Sequence, residues 1–138
     1  GMAAHGFFRA ILMVILMTAP VSAETFRSDS KRLKNTTMDI VITETERSER
    51  TSVVHIQIKA IGSSVGSSFF LLCSVRDLAQ QRGHYRYIAK AEGQPHPNHM
   101  LIGFLKSATD EPEGLDSRLM GQQVIDLEQF APICDKMQ

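Results

Sequence analysis

Met38-Asp39-Ile40-Val41-Ile42-Thr43, followed by Val53-Val54-His55-Ile56-Gln57-Ile58-Lys59-Ala60, is the stretch that decides the fold. Met38, Ile40 and Ile42 alternate with Thr37, Asp39 and Thr43, Val41 excepted. Val54, Ile56, Ile58 and Ala60 alternate with Val53, His55, Gln57 and Lys59. A period of two puts each apolar set on one face of an extended chain, so both segments read as half-buried strands. Residues 44–50 read as a charged tip between them. Keeping both apolar sets on one face pairs Ile42 with Val54 and Ile40 with Ile56, and centres the turn on Ser48. That register sets Glu46 opposite Arg50, a surface pair worth little by itself.

Downstream, Gly62-Ser-Ser-Val-Gly-Ser-Ser68 breaks the strand. A helix is expected from Phe69 to Arg82, with Ser67 or Ser68 as N-cap and Gly83 as its stop. Leu71, Leu72, Val75, Leu78 and Ala79 fall on one face at helical spacing. Residues 84–91 (HYRYIAKA) suit a strand, and residues 93–98 (GQPHPN) a turn. Residues 99–107 (HMLIGFLKS) are apolar on both faces and read as a central strand. An acidic loop over residues 109–116, a last strand over 122–127 and a terminal helix over 130–137 complete the chain. Pro132 suits the first turn of that helix. The fold class is α+β: an antiparallel sheet with helices on one face, in the order β-β-α-β-β-β-α.

Upstream lies a different kind of segment. Gly1 precedes Met2 and reads as a residue left by tag removal. Arg9 is followed by the apolar run Ala10-Ile-Leu-Met-Val-Ile-Leu-Met17, then Thr18, Ala19, Pro20 and the small-residue site Val21-Ser-Ala23. Basic, apolar and small parts in that order read as an export signal over residues 2–23, cleaved after Ala23. The apolar run is shorter than the roughly 20 residues of a membrane span. No cysteine lies near the cleavage site, which argues against an acylated N-terminus. The other reading is an ordinary N-terminal helix whose apolar surface is buried, for instance against another copy of the chain. The expected organisation is then signal 2–23, flexible linker 24–36 and a single domain 37–138.

The chain holds 15 Lys and Arg against 15 Asp and Glu and no Trp. The balance argues against nucleic acid as the main partner. The basic cluster Arg27, Lys31, Arg32, Lys34 reads as a solvated tail. Cys73 and Cys134 invite pairing in an oxidising compartment. A closed loop of about 60 residues would stabilise the fold by about 4 kcal/mol in the chain-entropy model. Two buried thiols in separate cores are the competing reading. Cys73 lies away from the helix's apolar stripe, so a second element should cover it, and the segment holding Cys134 is the natural candidate.

Three groups of residues invite chemistry. His84, His96 and His99, near Met100, are metal candidates, because imidazole suits copper and zinc. They lack the spacing of a helical zinc motif, which leaves a polar hairpin tip as the plainer reading. Ser67 and Ser68, at the expected helix start, could offer N–H groups to an anion, though the Walker lysine is missing. Nucleophilic catalysis has little support: no GxSxG elbow occurs, and Cys73 with His84 would need the fold to unite them. Asp110, Glu111, Glu113 and Asp116 could supply paired carboxylates but read as a solvated loop.

Leu71, Leu72, Cys73, Leu78, Ala79, Gly83, His84, Tyr85 and Tyr87 follow a helix-to-strand pattern over residues 69–88. The pattern resembles one in small uncharacterised proteobacterial envelope proteins and lipoproteins. The resemblance implies an envelope location and an α+β topology; it implies no activity, and the lipid-attachment cysteine of the lipoproteins is missing. The expectation is a periplasmic or secreted protein without enzymatic activity or cofactor. It would bind a protein partner of the envelope, in maintenance, inhibition or immunity, without a stable membrane anchor after cleavage and with homo-oligomers open. A metal-binding or small-ligand protein is the second expectation and an unrecognised hydrolase the third. Material exported by a bacterial host should begin at Glu24 when its N-terminus is sequenced; an unprocessed chain would contradict the export reading.

Overall fold

The computed structural model describes residues 25–34 and 37–137; the proposed export signal lies outside the described residues. Eight regular elements follow one another: β1 (Arg27–Asp29), β2 (Asp39–Arg47), β3 (Thr51–Ala60), α1 (Ser64–Gly83), β4 (Tyr87–Glu92), β5 (His99–Leu105), β6 (Ile125–Asp126) and α2 (Ala131–Lys136). The strands form one antiparallel sheet in the order β1-β2-β3-β5-β4-β6. The α+β class therefore stands, and the strand apolar on both faces, β5, is central.

The periodicities explain the layers. Ile40, Ile42, Val54, Ile88, Met100, Ile102 and Phe104 point to one face, where α1 covers them with Phe70, Val75, Leu78 and Ala79. The alternate residues Val53, Ala89, Ala91, Leu101 and Leu105 form a second core on the opposite face. Among the described residues no α-helix covers that side. The segment over residues 106–124 crosses it, held down by Leu115 and Leu119. Gly103 permits the close approach, since a Cβ there would lie 2.6 Å from a Leu119 methyl. The expected acidic loop is thus partly a lid, with short 3-10 turns at Pro112–Gly114 and Ser117–Leu119. Two of its carboxylates are paired: Asp110 accepts from Arg50 of the β2–β3 turn at 2.9 Å, and Asp116 from Arg118 at 2.7 Å.

Three expectations need correcting. The flexible linker over 24–36 is not one where it is described, because β1 pairs with Val41–Thr43 and Phe26 is buried. Its polar residues are held by hydroxyl bonds that no hydrophobic pattern reveals. Ser28 bonds the Ser74 hydroxyl at 2.8 Å; the Ser30 hydroxyl accepts from Ile40 N and donates to Met38 O. Second, Ile42 faces Ile56 and Ile40 faces Ile58, a shift of two that keeps each side chain on its face. The cause is a bulge between Glu44 and Glu46 and a tight turn in which Ser48 N–H donates to Thr51 O. Glu46 then faces Val53 rather than Arg50. Third, α1 begins five residues early, at Ser64, with Ser63 as cap accepting from Gly66 N. Its end is as expected at Gly83, followed by left-handed His84.

The early part of the expected charged tip is interior. Glu44 is 5% exposed and accepts from Arg47 Nε and Nη2, Ser52 Oγ and Phe26 N. Ser52 Oγ in turn accepts from Arg82 of α1 at 2.6 Å. Arg82 also donates to the carbonyls of Thr51, Glu49 and Ser48, and its guanidinium lies over the Phe104 ring. The last turn of α1 is thereby clamped onto the β2–β3 turn, and the clamp reaches β1 through Phe26. Burial alone would raise the Glu44 pKa, but its bonds to Arg47 and Ser52 hold it below the ordinary 4.5.

The unfolded chain therefore binds that proton more tightly than the folded one. The Glu44 contribution is whole above pH 4.5 and is lost as pH falls through the depressed folded value. Glu44→Gln should cost about 2 kcal/mol at pH 7 in urea unfolding, with the gap to wild type closing in acid. A gap constant from pH 7 to pH 3 would contradict the network.

Candidate functional site

The disulfide helps to set the geometry of an apolar groove beside α1. Cys73 is bonded to Cys134, with Cα atoms 5.3 Å apart and a sequence separation of 61. Both are buried. The bond fastens α2 to α1, and the 3-10 turn Leu127–Phe130 runs straight into α2. Phe130 is in this way held beside the front half of α1, while Ile125 is held there by the pairing of β6 with β4. Arg76 of α1 reinforces the junction through ion pairs at 3.6 Å to Glu128 and Asp135.

Between these walls lies an open apolar groove of ≈ 350 Å³. Leu71, Leu72 and Val75 of α1 form one side, Ile125 and Phe130 the other, and Met100 the floor. Alternation along β4 places Lys90 and Glu92 on the same face as Ile88, so both reach the groove's rim, where they pair at 3.2 Å. Towards the start of α1 the surface stays apolar. Val65, Phe69 and Leu72 recur at steps of four and three along one helix face, and Val65 is 65% exposed. Ser68 is the one α1 hydroxyl lining the groove.

The residues singled out from sequence are placed as follows. Ser67 and Ser68 are inside the helix rather than at its start, and both hydroxyls donate back to Ser64 O. They therefore offer no free N-terminal anion seat; Ser63 already caps that end. His84 closes α1, its ring bonded to Gln80 Oε1. His96 and His99 sit together at the β4–β5 tip with ring centres 5.6 Å apart, so the expected histidine trio does not assemble as such. The histidine that does meet His99 is His55 of β3, at 4.9 Å. In the sequence His55 is a polar position of an alternating strand, and only the β3–β5 register reveals the contact. Among the described residues no group of three or more His, Cys, Asp or Glu side chains is arranged to hold a metal.

Compared with protein-family models, with curated proteins and with solved structures, the chain matches none.

Proposed function

We propose that this protein is an exported, disulfide-stapled domain of the bacterial envelope that binds a protein partner through the groove beside α1. The partner's contribution is a short segment bearing large aliphatic side chains, seated between α1 and Ile125–Phe130 and flanked by polar groups that meet Lys90 and Glu92. The observation that supports this most is the continuous apolar strip from Val65 to the groove. A solvent-facing apolar strip rimmed by polar groups is the pattern of an interaction surface. Export is supported by the basic–apolar–small order of residues 9–23 and by the buried disulfide, a bond that persists in oxidising compartments. Among the described residues no helix is long and apolar enough to cross a membrane. The reading invokes no catalysis, and the resemblance over residues 69–88 fits the same compartment.

A photo-crosslinking side chain at Leu72 tests the surface in living cells, with Lys59, on the exposed end of β3, as the matched control. A discrete adduct from position 72 that disappears on Leu71→Asp, with position 59 silent, is expected. Adducts of equal yield from both positions, or none from position 72, would overturn the proposal. Secretion and melting temperature of the Leu71→Asp chain distinguish loss of binding from loss of folding.

A further inference from the structure

On the sheet face opposite α1, beyond the edge of the strap over 106–124, three imidazoles crowd together. His55 in β3 faces His99 in β5. Ile56 N–H donates to Asn98 O, and Phe104 N–H to Arg50 O. These bonds mark residues 50 and 56 as hydrogen-bonded positions of the β3–β5 ladder. The ladder alternates, so His55 and His99 occupy a non-hydrogen-bonded pair, where opposed side chains stand closest. Their ring centres are 4.9 Å apart, and His96 stands edge-on to His99 at 5.6 Å.

We propose that His55 and His99 form a two-imidazole chelate for a divalent late transition metal, Cu(II) above the others. With metal–nitrogen bonds of about 2.0–2.1 Å, two imidazoles on one ion hold their ring centres roughly 5 Å apart. The observed separation meets that spacing without movement of either strand. The tautomer is favourable too. His99 Nδ1 lies 2.9 Å from Pro97 O, an acceptor only, so Nδ1 bears the proton and Nε2 keeps its lone pair for a metal. Imidazole nitrogens suit copper, nickel and zinc, and the affinity order of divalent ions places Cu(II) first. The two rings are half-buried, and a cavity of ≈ 350 Å³ opens on the His99 side of the pair, lined by His99 itself with Thr45, Glu46, His96 and Arg118 but not by His55. It leaves room for water to complete the coordination shell. Arg118 is bonded to Asp116 by both Nε and Nη2, which offsets its charge near the site. His84, at the end of α1, has no part in the chelate.

The test is calorimetric titration of the full chain with CuSO4, in a His5→Ala background so that the N-terminal Gly1–His5 segment supplies no competing imidazole. One Cu(II) per chain, a raised melting temperature and a spin-resonance spectrum with splitting from two imidazole nitrogens are expected. Binding should weaken in acid, because each ligand must be deprotonated. His55→Ala and His99→Ala should each drop affinity by about 100-fold, with urea midpoints confirming that the fold remains, while His84→Ala should bind as before. No stoichiometric copper, binding that survives His55→Ala, or a spectrum with fewer than two nitrogens would each overturn the proposal.

Discussion

The covalent tie between Cys73 and Cys134 is the constraint on which the apolar groove beside α1 depends. The six-residue α2 is too short to be stable by propensity. Leu127, Cys134 and part of Met137 are its neighbourhood's contribution to the core. What fixes its position is the bond to the middle of α1. Phe130 enters α2 four residues before Cys134, and Ile125 lies five residues before Phe130. One wall of the groove is therefore positioned by the disulfide at Phe130 and by the β4–β6 pairing at Ile125, the other wall by α1, and the floor by β5. The tie and the export reading are mutually supporting, since the bond belongs to an oxidising compartment.

Polar interactions do comparable work at the far end of α1. Arg82, Ser52, Glu44, Arg47 and the Phe26 N–H form a connected chain of donors and acceptors from helix to hairpin to edge strand. A buried carboxylate is costly unless its oxygens are fully satisfied. Here both oxygens accept, which explains how a glutamate sits in a core beside Val54. The helix is thus pinned by charge-assisted bonds at its C-terminal end and by sulfur near its middle. Among the described residues nothing covers Val65, which is 65% exposed near the helix's N-terminal end.

Periodicity made the sheet and the main helix legible. The alternation over residues 38–43 and 53–60 predicts β2 and β3, and the doubly apolar run after His99 predicts the central strand. The stop at Gly83 was equally plain, because only a residue free of Cβ readily adopts its backbone there. The cysteine pairing was legible as one of two readings. What periodicity could not show was anything decided by side-chain hydrogen bonds. Ser28 and Ser30 look like linker residues until their hydroxyls meet Ser74 and Met38. Glu44 looks like a turn residue until Ser52 and Arg47 surround it. The tight turn at Ser48–Thr51 and the bulge after Glu44 together set the hairpin register two residues from the expected one, and register alone brings His55 to His99. The groove also escaped notice, since its residues come from α1, β4, β5 and the C-terminal turn, which no local pattern connects.

Hydrogen–deuterium exchange of the full chain, with and without reductant, tests the role of the disulfide most directly. Reduction should accelerate exchange in Ile125–Lys136 and in the facing turns of α1, while β2, β3 and β5 stay protected. Exchange over the C-terminal segment that is unchanged by reduction would contradict the account, because the groove would then stand without its tie.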